Sequence, residues 1–106
     1  MNIHSDRRLT PRVECDYPVI VEGHDLEGNQ YSENGKLANL SASGLFMKAY
    51  RNIENGTNLS VIVLLTTNLI EKDTPKIATT GIVVRTESQE DGSFGVAVKF
   101  KSYRFL

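Results

Sequence analysis

Three arginines near the start of the chain have the chemistry and spacing of an anion-binding segment. Arg7, Arg8 and Arg12 lie within Arg7–Arg12, where Pro11 stiffens the backbone. A guanidinium presents a planar fork of donors that matches phosphate oxygens and also the O6/N7 edge of guanine. In an extended segment Arg8 and Arg12 are about 13 Å apart, at roughly 3.3 Å per residue. Together with a polar cluster further along the chain, the segment predicts a site for a compact guanine nucleotide.

A second polar cluster, further along the chain, reads Asn39-Leu40-Ser41-Ala42-Ser43-Gly44. Asn39 and Ser41 supply hydrogen-bonding groups, and Gly44 allows a ligand to approach the backbone closely. The alternative is an ordinary turn with side chain to backbone hydrogen bonds, which the same residue types favour. The two interpretations are compatible, since a structural Gly44 leaves Ser41 free to face a ligand.

The composition predicts one globular domain. The chain has 106 residues, of which 40% are hydrophobic and 24% are charged, so it is too apolar to be disordered. A net charge of -1 argues against a general nucleic-acid binder, because such proteins need an excess of Lys and Arg. We therefore expect a small anionic ligand and neither DNA nor RNA.

The sequence offers no pattern typical of catalysis. Cys15 is the single cysteine, and His4 and His24 lie apart from any metal-ligand spacing, so we expect no metal and no cofactor. The acidic residues of Glu87–Asp91 are better explained as a solvated hairpin turn than as an acid and base pair. We therefore predict no catalytic residues and a protein that is not an enzyme.

No segment of the sequence predicts a membrane span or a signal peptide. The longest wholly apolar run, Val61–Leu65, is far too short to cross a bilayer, and the first residues lack the pattern of a signal peptide. We expect no membrane insertion and a cytoplasmic location.

Alternating apolar and polar residues predict an all-β fold. Residues 1–12 lack such alternation and are predicted to form a flexible arm, while residues 13–106 form the folded domain. Within it we predict six strands, at Val13–Glu22, Gln30–Leu40, Leu45–Ala49, Leu59–Thr66, Ile77–Arg85 and Phe94–Phe100. Short strands separated by turn residues favour a closed antiparallel barrel.

Two features leave the strand assignment open. Pro18 places the first strand at a sheet edge or a bulge, because proline lacks the N–H that a ladder needs. The dipeptide Asn34-Gly35 is a turn signal, and it could interrupt the second strand.

Both polar motifs, in this order and on this background, resemble those of the PilZ family. Arg8 to Arg12 reads as RxxxR, and Asn39, Ser41 and Gly44 read as [DN]xSxxG. The likeness continues along the chain through Gly56, Gly81–Arg85 and Gly95–Phe100. It implies a small six-stranded PilZ-like β-barrel that acts as a receptor for the bacterial second messenger cyclic di-GMP.

The resemblance also implies roles for single residues. Arg8 and Arg12 would contact guanine edges and phosphates, and Arg7, just before them, would accompany a stacked pair of ligand molecules. Otherwise Arg7 is solvated and pairs with Asp6. Asn39 stands where the motif also accepts aspartate, and its neutral carbonyl predicts a weaker contact, because charge-assisted hydrogen bonds are about twice as strong.

The end of the chain departs from the family pattern. PilZ-like domains often add a helix after the last strand, but Lys101–Leu106 is enough for only about one helical turn. Tyr103, Phe105 and Leu106 would then form an apolar tail that packs on a protein partner, or on a second copy in a homodimer.

Three functions are consistent with these features. In the leading one, cyclic di-GMP orders the N-terminal arm and the new surface signals to an unknown protein partner. The second is a PilZ-like protein–protein interaction domain that binds no nucleotide. The third, an oligonucleotide-binding barrel, is weakened by the charge balance and by the lack of an aromatic stripe.

Overall fold

The regular structure of the described chain is entirely β. The computed structural model describes residues 13–14, 16–65 and 74–106, and no helix occurs among them. The arm predicted at residues 1–12 lies outside the described residues. The strands are β1 Val13–Glu14, β2 Pro18–His24, β3 Gln30–Leu40, β4 Gly44–Ala49, β5 Asn58–Leu64, β6 Lys76–Ser88 and β7 Phe94–Phe105. The prediction of an all-β fold is confirmed.

Six of these strands form a closed antiparallel barrel. They are hydrogen-bonded in the order β3-β2-β5-β6-β7-β4, and a further pairing of β3 with β4 closes the ring. Closure removes the exposed sheet edges along most of the strands. The two-residue strand β1 lies outside the ring and pairs with the end of β3. The predicted six-stranded barrel is therefore confirmed, with one short strand added.

Period-two alternation builds the core. In β4, Leu45, Met47 and Ala49 are buried, whereas the intervening side chains face outward. Full burial of a leucine or methionine side chain such as Leu45 or Met47 stabilises the fold by about 1.5–3 kcal/mol. Together the strands and the loop after β4 contribute a core of Val19, Val21, Leu37, Leu45, Met47, Ala49, Ile53, Leu59, Val61, Val63, Ile77, Val83, Val96 and Val98.

Near the start of the chain one predicted strand is divided in two, and the next is confirmed with the predicted bounds. The segment predicted as one strand at Val13–Glu22 forms β1 and β2, and Pro18 is the first residue of β2, a position that proline tolerates in a sheet. By contrast β3 runs without a turn through Asn34-Gly35. A Cβ at Gly35 would lie 2.6 Å from the Lys48 carbonyl oxygen, so this glycine permits close strand packing.

The last strand is longer than predicted and incorporates the expected tail. Thr79 pairs with Tyr103 and Ile77 with Phe105, so the residues after Phe100 form a strand rather than a helical turn. The Tyr103 ring contacts Phe100 at 5.6 Å and Phe105 at 6.5 Å between centroids. Phe105 and Leu106 nevertheless remain 72% and 61% exposed.

Because neighbouring strands run in opposite directions, the connections between them lie at two opposite ends of the barrel. The β3–β4 turn, β1 and the end of β7 lie at what we call the upper end. The lower end carries the β2–β3 turn, the loop after β4 and the β6–β7 turn. Gly56 and Gly92 have φ of 89° and 87° in this lower region, a left-handed backbone conformation that glycine adopts without steric strain.

Candidate functional site

The β3–β4 turn is a compact hydrogen-bonded structure centred on Ser41. Its backbone N–H donates to the Gly44 carbonyl at 2.9 Å, and its hydroxyl donates to the same oxygen at 3.3 Å. The Ser43 N–H in turn donates to Ser41 Oγ at 3.3 Å. The turn thus has the side chain to backbone bonds expected of Ser-rich turns, and Ser43 remains exposed beside half-buried Ser41.

Gly44 is required by the packing of β4 against β7. It pairs with Lys99, and a Cβ at position 44 would collide with the carbonyl oxygen of Val98. Only glycine fits this approach. Position 44 therefore contributes no side chain to the outer surface next to the turn, and the surface is shallow there.

Asn39 faces the same outer surface through an irregular stretch of β3. The register between β3 and β4 shifts between Leu37 and Asn39, as it does at a β-bulge, and Asn39 then pairs with Phe46. Asn39 is half-buried. The structure therefore brings together three of the residues predicted from sequence: Asn39, Ser41 and Gly44.

A row of side chains crosses the outer surface from Asn39. Strand pairing places Phe46 of β4 next to Asn39, Ala97 of β7 next to Phe46, and Arg85 of β6 next to Ala97. We call the depression along this row the outer groove. It has a volume of about 500 Å³ and is lined by Asn39, Ser41, Ser43, Gly44, Leu45, Phe46, Val84, Arg85, Glu87, Ala97, Val98 and Lys99.

The outer groove carries two cationic side chains. Arg85 donates from Nε to Glu87 Oε2 at 2.9 Å, and its Cζ lies 5.8 Å from the centroid of the Phe46 ring. Lys99 is exposed beside Gly44. Amide, hydroxyl, guanidinium and ammonium groups on one shallow surface can bind an anion that also has hydrogen-bonding edges.

Arg7, Arg8 and Arg12 lie outside the described residues. The chain that leads from them is nevertheless located, because Val13 pairs with Leu40 and Glu14 pairs with Asn39. The arginine segment therefore joins the barrel directly beside the polar cluster. The link between the two predicted motifs is this short strand.

Sequence reasoning missed Phe46, Ala97 and Arg85 as groove residues. The available signal was alternation: Phe46 lies between the apolar residues Leu45 and Met47, so it must face the other side of the sheet. The positions of Ala97 and Arg85 depend on a register shift between β6 and β7, and the sequence does not encode that shift visibly.

The lower end of the barrel has a separate polar cluster. The Arg51 guanidinium lies 3.9 Å from the Tyr31 ring centroid, and Arg51 Nε is 3.6 Å from Glu33 Oε2. Burial raises the pKa of Tyr31, and the charge of Arg51 partly offsets that shift. The cluster is remote from the predicted site residues, at the opposite end of the strands.

Neither a metal cluster nor a membrane helix emerges from the described residues. Within the ranges given above, no three His, Cys, Asp or Glu side chains are grouped so that they could hold a metal ion. The same part of the chain includes no helix of the length and apolar character that spanning a membrane demands.

These features define a small closed β-barrel with a polar groove on its outer face. The model of the family described as PilZ domain matches residues 6–104. The chain belongs to the PilZ domain family. No curated protein sequence matches it.

Solved structures with the same fold include three from bacteria. The Bacillus subtilis inhibitor of motility, MotI/DgrA, is 18% identical with a TM-score of 0.71, over 93% of this chain and 44% of that chain. The PilZ domain of Escherichia coli YcgR, solved with c-di-GMP, is 12% identical with a TM-score of 0.59, over 92% and 79%. The c-di-GMP complex of K. pneumonia MrkH is 15% identical with a TM-score of 0.55, over 92% and 45%.

At these identities the likenesses establish the fold alone. The chain spans less than half the length of the MotI/DgrA and MrkH chains that it resembles.

Proposed function

We propose that this protein is a cytoplasmic receptor for cyclic di-GMP, and that the ligand lies in the outer groove beneath the arginines of residues 1–12. The observation that carries the proposal is the pairing of β1 with the end of β3. This pairing starts the arginine segment next to Asn39 and Ser41. Family membership and the c-di-GMP bound to the PilZ domain of YcgR and to MrkH support the choice of ligand.

Chain geometry allows the arginines to reach the whole groove. Arg12 is bonded to Val13, so their Cα atoms are about 3.8 Å apart, and Arg8 can lie at most about 18 Å from Val13. The groove crosses the four adjacent strands β3, β4, β7 and β6, and β1 pairs with the side of β3 that faces away from β4. Val13 is therefore four spacings from β6, which is about 19 Å at 4.7–4.9 Å per spacing, and the backbone reach of Arg8 together with its long side chain covers that span. Arg8 can therefore contact a ligand anywhere along the row.

The chemistry of the groove complements that of the ligand. Cyclic di-GMP carries two phosphodiester charges and two guanine bases. Arg8 and Arg12 would bind guanine O6/N7 edges and phosphate oxygens, while Asn39 and Ser41 accept from the guanine N1 and N2 donors. Lys99, an exposed lining residue of the groove, adds a positive charge. Arg7 provides a third guanidinium, which would offset repulsion between the four charges of a stacked ligand pair.

The signal would come from ordering of the arm. Residues 1–12 would fold over the groove when the ligand binds, and the covered groove would present a new surface to a protein partner. The barrel itself has a closed, hydrogen-bonded ring and need not change. The protein would therefore act as an adaptor rather than as an enzyme.

Isothermal titration calorimetry tests the binding site. Wild-type protein is expected to bind cyclic di-GMP with a Kd of about 1 μM or lower, which is roughly -8 kcal/mol, and to discriminate against cyclic di-AMP and GTP. Arg8→Ala and Arg12→Ala should each weaken binding by about 1–3 kcal/mol. Arg104→Ala removes an exposed cation outside the groove and serves as the control. Equal affinities for the wild type and both arm variants would refute the assignment.

A second function, protein interaction without nucleotide, is favoured by one observation. Tyr103, Phe105 and Leu106 expose apolar surface at the upper end, suited to a partner or to a second copy of the chain. Recovery of the same partner with and without cyclic di-GMP would support this function. Sedimentation equilibrium of the wild type and of Phe105→Ser measures whether the same surface forms a homodimer.

A further inference from the structure

We propose that Phe46 and Arg85 sandwich one guanine base of the ligand. The inference rests on the proposed function and adds to it a stacking slot on the outer face of the barrel. Phe46 forms one wall of the slot, the Arg85 guanidinium forms the other, and Ala97 forms the floor between them. The slot takes a flat aromatic base of a bound nucleotide.

Phe46 has the position and the exposure that a stacking wall requires. Its side chain is on the outer face of β4 and is only half-buried, although it is a large apolar residue. The ring occupies space that a side chain at Gly95 would need, since a Cβ there would lie 2.5 Å from Phe46 Cζ and 3.2 Å from Phe46 Cε1. The edge of the ring therefore lies against the backbone of Gly95, where the absence of a side chain leaves room for it.

The distance between the two walls suits a base after a small displacement. The Arg85 Cζ is 5.8 Å from the Phe46 ring centroid. A base in van der Waals contact with both walls needs about 7 Å, because each contact is about 3.5 Å. The Arg85 side chain is 60% exposed, so it can move by about 1 Å without disturbing the core. The methyl group of Ala97 leaves the space between the walls open.

Glu87 gives Arg85 a partner while the slot is empty. The Nε to Oε2 distance is 2.9 Å, and the Glu87 side chain is 48% exposed. Ion pairs between exposed groups contribute little to stability, so Arg85 can exchange this contact for the ligand at little cost. Guanidinium planes stack on bases and donate to phosphates, so the exchange keeps the charge paired.

Stacking would contribute affinity for any base, and hydrogen bonding would contribute selectivity for guanine. A ring face stacks on any base. The hydrogen-bonding groups of Asn39, Arg8 and Arg12 would distinguish guanine from other bases. Phe46→Leu keeps the apolar volume but removes the flat face, so it should weaken cyclic di-GMP binding by about tenfold or more. Phe46→Tyr keeps the face and should bind like the wild type.

Tryptophan fluorescence gives an independent readout, because the chain has no natural tryptophan. Phe46→Trp places the single indole in the slot, and stacking on guanine should quench its emission as cyclic di-GMP is added. Tyr50→Trp is the matched control, since Tyr50 is 62% exposed outside the groove and its indole should keep its emission. Thermal unfolding of every variant checks that the barrel is intact.

The outcomes separate the slot from the receptor proposal. Weak binding by Phe46→Leu, near-normal binding by Phe46→Tyr and quenching confined to Phe46→Trp would support the slot. If the wild type binds cyclic di-GMP but Phe46→Leu binds within twofold of it and Phe46→Trp is not quenched, the slot is wrong and the receptor proposal stands. If the wild type binds no cyclic di-GMP, both proposals fail.

Discussion

Lys48 Nζ lies 2.5 Å from Asp91 Oδ2, and this ion pair ties the outer face of β4 to the β6–β7 turn. The other oxygen of Asp91 accepts from the backbone N–H of Ser93 at 3.0 Å and from its hydroxyl at 2.5 Å. The hydrogen bond from Lys48 and those from Ser93 lower the pKa of Asp91, and the bond to Asp91 raises the pKa of Lys48. One carboxylate thus organises the turn and joins it to a neighbouring strand.

Stability should therefore depend on pH through Asp91. Because its pKa is lower in the folded state, its contribution is complete above its unfolded pKa of about 3.9 and is lost as pH falls below that value. Asp91→Asn should lower the urea midpoint at pH 7 and should differ less from the wild type as pH falls below about 4. Glu90→Gln, which removes the neighbouring exposed carboxylate, is the control. A difference in urea midpoint between the wild type and Asp91→Asn that stays constant down to pH 2 would contradict the prediction.

A methyl group at position 44 should damage the barrel. Gly44→Ala directs a Cβ at the Val98 carbonyl oxygen, and overpacking of this kind costs about 1–3 kcal/mol. Urea denaturation should show that loss, and calorimetry should show weaker cyclic di-GMP binding because β4 must shift. Ala42→Ser changes an exposed turn position nearby and should leave stability within about 0.5 kcal/mol of the wild type. Wild-type stability of Gly44→Ala would mean that the strands separate easily here.

An aspartate at position 39 should bind the ligand more tightly. Asn39→Asp supplies a charged acceptor to the guanine N1 and N2 donors, and charge-assisted bonds exceed neutral ones by about 1 kcal/mol, or roughly fivefold in affinity. Titration calorimetry at matched ionic strength measures the gain. Asn34→Asp adds the same charge at an exposed position of β3 outside the groove and controls for net charge. Equal or weaker binding by Asn39→Asp would place the guanine donors elsewhere.

Removal of residues 1–12 should separate binding from folding. All buried apolar residues of the described chain lie between Val19 and Val98, so a chain of residues 13–106 should unfold at nearly the same temperature as the whole. It should also lose cyclic di-GMP binding, since Arg8 and Arg12 are gone. In the whole chain, amide resonances of residues 1–12 should shift when the ligand is added. Full binding by the shortened chain would assign recognition to the barrel alone.

The sequence predicted which segments form strands better than it predicted where those strands end or turn. Alternation identified the core strands, because one face of each is buried. The signal at Asn34-Gly35 was wrong as a turn, because Gly35 serves close strand packing there. The end of β7 was missed because pairing with Ile77 and Thr79 decides its structure, and pairing partners are remote in sequence.

The sequence predicted the motifs of the candidate site, but it did not predict that the groove extends across β7 to β6. Asn39, Ser41 and Gly44 follow from a local pattern, and the structure groups them on one hairpin. Arg85 and Ala97 reach the same groove through strand register, which depends on bulges in β3 and β6. A short motif therefore marks where a ligand could bind, while the walls of the groove emerge only from the assembled sheet.

The hairpin of β3 and β4 both completes the ring of strands and bears the polar turn of the groove. Folding and the proposed ligand site thus share one stretch of backbone, so a change that serves one of them also affects the other. Variation of ligand preference in descendants of this protein should accumulate in the N-terminal segment and in the outward side chains of the groove strands. The backbone of the hairpin has little freedom to diverge.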